Sequence, residues 1–397
     1  MRNPVYVVIG GIASLVIAMG IGRFAYTPIL PLMQSNQHFS DAAAGYLASS
    51  NYLGYLFGAL LSSIIPRSKK TWIFRCSLVV NILSIGMMST TTSIPAWMIY
   101  RFVSGLTSGV VFVLASSIVL DVLAVTKRIS SSGVFYSGVG IGILLTGILV
   151  PVFDEYDSWQ GTWLGLMLLS GLIGFFAWFW TRESIHDETV TVQSSTESDV
   201  YNKQFFGWLL TSYGLEGLGY IVIGTFLVDI ASKIPGISGL TSLSWIIAGL
   251  GAVPSTLLWA WIGKRWGIHR SLVIAYFIQA VGVIIPVILF NPIGIYLAAF
   301  LFGGTFMGIT TLATTLTRNL YAQRSRQAIG YLTACYGIGQ ILGPIGAGIL
   351  AQRTDNYTLS LIMATIVLVL GALLLIIGGI LRKQRFMLTK GGSLDVE

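Results

Sequence analysis

Three ionisable residues stand where the sequence offers them no water: Arg23 in "GIGRFAYTP", Arg101 in "IYRFVSG" and Glu216 in "YGLEGLGY". Each lies well inside a long apolar run. A charge at the centre of a membrane helix costs roughly 2.5–3.5 kcal/mol on insertion scales, so such groups face an interior or a wet cavity and mark substrate or ion paths. An arginine stays charged and offers a planar fork to a carboxylate. A carboxyl group removed from water can take up and give back a proton. The chemistry open to these residues is therefore anion recognition and proton exchange. Together they leave one surplus positive charge, which invites an anion. The expected coupling is a carboxylate that holds an arginine and frees it on protonation. Arg101 has a second reading, in which its side chain reaches to the lipid headgroups.

Polar neighbours recur at helical spacing around them. Tyr213, Glu216 and Tyr220 share one stripe at i, i+3 and i+7, and Thr333, Tyr336 and Gln340 repeat it. Arg23, Tyr26 and Thr27 share another face, as do Asn51 and Tyr55. The expected substrate-binding set is Arg23, Tyr26, Asn51, Tyr55, Arg101, Tyr213, Tyr220, Tyr336 and Gln340, with Glu216 carrying the proton. For Asn51, Thr333 and Gln340 the alternative is plain hydrogen bonding between helices. His38, His186 and His269 all fall in expected loops, so no histidine relay is expected. No metal-ligand spacing and no nucleotide-binding loop is visible. Neither cofactor nor metal nor catalytic residue is expected, and the chain is not read as an enzyme.

Positioning these groups falls to helices. The chain has 397 residues, 54% hydrophobic and only 10% charged, with a mean hydropathy of +0.80. A soluble domain carries about a quarter charged residues. Cys76 and Cys335 are too few for a disulfide scaffold. A spanning helix needs roughly 20 apolar residues. Twelve runs qualify, at about 5–32, 41–65, 71–91, 95–120, 130–153, 160–181, 205–231, 241–263, 269–290, 292–317, 327–352 and 357–381. The first lacks a small-residue cleavage site and is read as a retained helix. Pro28, Pro31 and Pro344 mark places where helices bend or break. Trp97, Trp159, Trp163 and Trp245 sit near expected outer boundaries, as an interfacial aromatic belt requires.

The net charge of +8 is not spread evenly. Arg67, Lys69, Lys70, Arg75, Lys127, Arg128, Lys264, Arg265, Arg270, Arg318, Arg324, Arg326, Arg382, Lys383, Arg385 and Lys390 all fall on one side if the helices alternate. The opposite loops hold Lys233 and Arg353, with Asp154, Glu155 and Asp157. Lysine and arginine mark the cytoplasmic side, so both termini are expected there. This pattern argues against nucleic acid as a partner. The partners expected are a small-molecule substrate, protons and membrane lipids, and the chain is read as a monomer.

The longest polar stretch, "TRESIHDETVTVQSSTESDVYNK", reads as a cytoplasmic linker. It divides the chain into a six-helix unit at 1–181, the linker at 182–203, a second six-helix unit at 204–381 and a cytoplasmic tail at 382–397. A shift of about 197–199 positions overlays Gly20 and Gly22 on Gly217 and Gly219. It overlays Gly105 and Gly109 on Gly304 and Gly308, and Gly133, Gly140 and Gly142 on Gly330, Gly337 and Gly339. Parallel six-helix repeats with a site between them form a transporter architecture. The expected fold is an all-α integral membrane protein of twelve transmembrane helices in two pseudo-symmetric six-helix bundles.

The whole chain resembles the major facilitator superfamily. "RFVSGLTSG" is similar to its helix-four R-x-x-x-G motif, which the resemblance links to proton coupling in antiporters. "IGQILGPIGAG" is similar to its G-P-x-x-G antiporter motif but falls in helix eleven, whereas "GVGIGILLTG" in helix five lacks Gly-Pro. The loop motif G-x-x-x-D-R-x-G-R-R is degenerate in "PRSKKTWIFR" and "GKRWGIHR". "GIGRFAYTPILPLM", "GYLASSNYLGYLFGA" and "EGLGYIVIGTF" resemble the bacterial YbfB/YjiJ-type branch. This resemblance implies the major facilitator fold and a multi-pass protein of the bacterial cell membrane. The favoured function is proton-coupled secondary transport of a small organic solute, an anion by the charge count, through alternating access. The alternatives are a broad drug or metabolite efflux antiporter and a lipid flippase.

Overall fold

The computed structural model describes residues 4–126, 132–181, 199–237, 240–321 and 324–391. Among them the backbone is helical almost throughout, as required where no water can satisfy it. The elements are α1 (Pro4–Leu15), a π-helical segment (Val16–Ile21), α2 (Tyr26–Gln37), α3 (Asp41–Ser62), α4 (Lys70–Met87), α5 (Ile94–Val125), α6 (Ser132–Trp180), α7 (Asp199–Ser232), α8 (Thr241–Trp266), α9 (Ile268–Ile288), α10 (Pro292–Leu320), α11 (Ser325–Thr354) and α12 (Thr358–Gly391).

The first expected run is thus α1, the π segment and α2 in series. Runs five and six are the two arms of α6, which leaves helical geometry at Asp157 and at Ser158, where φ is 61°. Among the described residues, nine helices are long and apolar enough to cross a membrane, with Pro4–Gln37 taken as one and α6 as one. α3 and α4 fall outside that set because polar residues dilute them, Ser49, Ser50 and Asn51 in the one and Lys70, Arg75 and Asn81 in the other. Two boundaries differ from expectation. α7 begins at Asp199, inside the stretch read as linker, and α12 runs on to Gly391. Lys127, Arg128 and His186 lie outside the described residues. His269, expected in a loop, opens α9, and its ring nitrogen lies 3.0 Å from the Leu375 carbonyl.

The internal repeat survives as repeated contacts. α3 runs parallel to α5, and α8 runs parallel to α10. In the first pair, a Cβ on Gly105 would collide with the Asn51 carbonyl, and one on Gly54 with the Phe102 carbonyl. In the second, a Cβ on Gly303 would collide with the Ala248 carbonyl, and one on Gly251 with the Phe300 carbonyl. Every member is displaced by 197 or 198 positions from its counterpart. Gly105 therefore pairs with Gly303, not with Gly304, which has no neighbour within 4 Å of its notional Cβ. Small residues are what let backbones approach this closely without a hydrophobic drive between helices.

The four tryptophans read as a membrane-interface belt are buried instead, each 0–1% exposed. Trp97 stacks edge-on against Trp159 at 5.4 Å and donates its indole N–H to the Met88 carbonyl at 3.0 Å. Trp245 donates to the Thr146 hydroxyl at 3.1 Å, joining the two halves of the chain. For Trp97 and Trp245 the interior supplies the polar partner that a headgroup would have given, whereas the Trp163 indole N–H has none among the described residues.

Candidate functional site

The site begins with a fault in the first helix. Pro28 has no amide hydrogen, so the Phe24 carbonyl is free to accept from Thr27 N–H, at 3.2 Å. Thr27 is thereby withdrawn from the Arg23 carbonyl. Upstream, Gly22 N–H reaches back to Ile17 and Phe24 N–H to Met19, each five residues away. The carbonyls of Gly22 and Arg23 are left facing sideways, and buried acceptors of this kind need donors.

α5 supplies them. Arg101, Ser104 and Ser108 share one face of that helix. Arg101 Nη1 donates to the Gly22 carbonyl at 3.2 Å and Nη2 to the Arg23 carbonyl at 3.3 Å. Ser104 Oγ donates to Gly22 at 2.9 Å, and Ser108 Oγ to Ala18 at 2.6 Å. The Arg101 guanidinium also lies 4.6 Å from the centre of the Tyr26 ring, and the Tyr26 hydroxyl donates to the Ala44 carbonyl. Asn51 Nδ2 donates to the Arg101 carbonyl at 2.9 Å. Arg101, 1% exposed, does not reach for headgroups. Tyr26, Asn51 and Arg101, expected among the substrate ligands, form instead a brace around the fault.

Freed by that brace, the Arg23 side chain projects into the core and is 2% exposed. Its guanidinium carbon lies 4.3 Å from the Tyr55 ring centre, 4.8 Å from that of Tyr52 and 5.2 Å from that of Phe24. Tyr55 is its polar partner, and Tyr220 and Tyr336 lie within range of its charge. Nε and Nη2 have no hydrogen-bond partner among the described residues.

The second half of the chain contributes a column of rings with nearly parallel planes. Tyr213 stacks on Tyr336 at 4.5 Å and 14°. Tyr336 follows Tyr220 at 5.6 Å and 12°, and Tyr220 follows Phe306 at 6.0 Å and 7°. The Gln340 amide donates to the Tyr220 hydroxyl. One turn before Tyr220 on α7 lies Glu216, fully buried. The Gln279 amide is its hydrogen-bonding neighbour, and neither group makes a close, well-aligned hydrogen bond among the described residues. Tyr213, Tyr220, Tyr276 and Tyr336 all lie close enough to feel a charge on Glu216.

Seven of the expected residues are therefore brought together: Arg23, Tyr55, Tyr213, Glu216, Tyr220, Tyr336 and Gln340. The expected arginine–carboxylate contact is not. The ion pairs among the described residues join Lys233 to Asp41 and Asp229, and none involves Glu216. Tyr220 lies within range of both the guanidinium and the carboxyl. Sequence reasoning missed Tyr52, Tyr276 and Gln279. Gln279 is the one strongly polar side chain in the middle of its apolar run, the signal that had singled out Gln340.

At the end of the molecule away from the termini, the two halves are sewn together. Thr27 Oγ1 donates to the Gly224 carbonyl at 2.7 Å, Ser49 Oγ to Ile341 at 2.7 Å, and the hydroxyls of Tyr52 and Thr225 meet at 3.1 Å. Lys233 Nζ lies 3.1 Å from Asp229, 3.7 Å from Asp41 and 4.5 Å from the centre of the Tyr357 ring.

Comparison with known proteins gives this arrangement its context. Residues 15–376 match a family model described as the uncharacterised MFS-type transporter YbfB. The chain is 22% identical over 382 residues to the putative niacin/nicotinamide transporter NiaP of Bacillus subtilis, covering 91% of this chain and 92% of that protein. It is 23% identical to the uncharacterized MFS-type transporter YtbD of the same organism, but over only 59% of each chain. The sialic acid transporter NanX of Escherichia coli is 21% identical over 62% of each. In fold, the crystal structure of the nucleoside transporter NupG superposes with a TM-score of 0.71 at 15% identity, over 95% of this chain and 99% of that one. With a family model spanning nearly all of its helices, the chain belongs to the YbfB-type family of major facilitator transporters.

Proposed function

We propose that the protein carries a small organic anion across the bacterial cell membrane together with protons, by alternating access between two six-helix units at 1–181 and 204–381. In this reading 182–203 is the cytoplasmic linker and 382–397 a cytoplasmic tail. The protein acts as a monomer among membrane lipids, with both termini in the cytoplasm.

One observation carries the proposal. Arg23 is a permanent charge buried between the halves, with two N–H nitrogens unpaired. A buried charge is costly unless it is matched, and an anion would match it. Glu216, one turn along α7 from Tyr220, supplies the proton. A carboxylate sealed from water without a cation is also costly, so the closed core carries Glu216 protonated. Opening to water at either face lets it ionise. Anion on Arg23 and proton on Glu216 are thus both needed before the halves close, which couples their movements without an arginine–glutamate ion pair. Tyr220 lies within range of both groups and is the side chain they share. Of the relatives' named cargoes, niacin/nicotinamide and sialic acid, two are acids and nicotinamide is neutral, and neither name extends to this chain.

The test is proteoliposomes loaded with a pH indicator and offered a panel of organic acids. Acid-dependent proton movement is expected, and it is lost in Glu216→Gln. Solute flux that ignores an imposed pH gradient, or coupling intact in Glu216→Gln, rejects the proton role. The unpaired Glu216 carboxyl, ringed by tyrosines, favours one second reading, the efflux of amphipathic cations. There Arg23→Gln spares transport; in the anion reading it abolishes it.

A further inference from the structure

We infer that the anion is a flat aromatic monocarboxylate, its carboxylate seated on Arg23 and its ring against the tyrosine column; this rests on the anion reading above. Two independent features meet at the site. The first is which nitrogens of Arg23 are unpaired. Nε and Nη2 form one edge of the guanidinium, with N–H bonds that run side by side, and both lack a partner among the described residues. That edge takes the two oxygens of one carboxylate in a bidentate pair. The Tyr52 and Tyr55 rings pack close to the guanidinium carbon, at 4.8 and 4.3 Å, and leave that edge as the side open to a partner. This is a seat for a single carboxylate approached edge-on.

The second feature is the alignment of the rings beside it. Tyr213, Tyr336, Tyr220 and Phe306 lie on α7, α10 and α11, yet their successive planes differ by only 7–14°. Phe302 continues the series, 7° from Phe306. A core packed for bulk alone sets rings at many angles, and edge-on pairs are common. A column of parallel faces can be extended by another flat ring and offers little to a cargo of other shape. Tyr220 and Tyr336 are also the column members within range of the Arg23 charge. The carboxylate seat and the column therefore adjoin. A sugar acid would need a hydrogen-bond partner for each hydroxyl, whereas the column presents mainly ring faces.

Matched acids test this on the full-length protein in detergent micelles. Radiolabelled benzoate is bound at equilibrium and competed with cyclohexanecarboxylate, then 2-naphthoate with its fully saturated counterpart. Charge and carbon count are equal within each pair, and only flatness differs. The aromatic member should bind about tenfold tighter, the worth of roughly one to two stacked ring pairs. Tyr336→Leu should bring the ratio close to one, while Tyr336→Phe, which keeps the ring, should preserve it. Arg23→Gln should abolish binding of all four. If the saturated acids bind as tightly as the aromatic ones and still need Arg23, the aromatic inference is overturned and the anion reading stands. If none of the four binds, the aromatic inference is overturned too. Binding that persists in Arg23→Gln overturns both.

Discussion

Removing Lys233 should open the end of the protein that lies away from the termini. Its ammonium sits 3.7 Å from Asp41 on α3 and 3.1 Å from Asp229 on α7, so it bridges the two halves. At an effective dielectric of about 20 the Asp41 pair alone is worth about 4–5 kcal/mol. The Lys233 side chain is 41% exposed, and solvent screening with lost side-chain freedom cuts this to about 1–2 kcal/mol. Lys233→Ala also leaves the two carboxylates facing each other, a repulsion of the same sign. The closed arrangement should therefore lose about 5- to 30-fold in population relative to the open one. Thr225, fully buried against Tyr52, reports the change. With Cys76 and Cys335 replaced by alanine, a T225C chain in right-side-out vesicles is labelled by a membrane-impermeant maleimide. Labelling should be about tenfold faster in Lys233→Ala, and Asp41→Asn with Lys233→Ala, which removes the repulsion but not the loss of the bridge, should reverse only part of the gain. An unchanged or slower rate in Lys233→Ala would refute the reasoning, because the bridge would then hold nothing shut.

Other outcomes follow from the same coordinates. Arg101→Lys keeps the charge but loses the fork, so one of the two helix carbonyls it serves goes without a donor; a loss of about 1–3 kcal/mol should appear as a lower apparent melting temperature in detergent. Gly303→Ala should destabilise the protein because its Cβ meets the Ala248 backbone, while Gly304→Ala, with open space, should be neutral or stabilise by up to about 1 kcal/mol; thermal melts of the two variants compare them directly. Gly105→Ala should behave like Gly303→Ala, since the same crossing recurs in the first half. Pro28→Ala restores a donor to the first helix, and it should weaken anion binding by letting the backbone re-form and turning Arg23 away; equilibrium binding of benzoate measures this.

Much of the site was legible because cost made it conspicuous. Charges in apolar runs stand out, and helical spacing placed Tyr213 and Tyr220 with Glu216 and Tyr336 with Gln340. What the sequence concealed was how the charges divide their work. Arg23 and Arg101 look alike in a string of letters. One is spent on backbone carbonyls and the other is not, and the difference arises from Pro28 acting on a carbonyl four residues upstream. Serine at 104 and 108 was the available clue, since with Arg101 it forms a donor stripe that only a broken neighbour requires. The tryptophans misled for a related reason, because proximity to a boundary does not say whether a ring faces lipid or core. The repeat was visible in glycines, but the register slipped by one at Gly304, where two adjacent glycines made either alignment look equally good.

The guanidinium seat is built on the break before α2 and on α3, while the stacked rings belong to α7, α10 and α11. Possession of any occupant is thus divided. In the proposed cycle both grips act on one small body while the halves adjoin; once they part, the body keeps a single handhold and retention falls by the product of what was shared. Letting go then requires no dedicated trigger, because the rocking that admits water also halves the purchase.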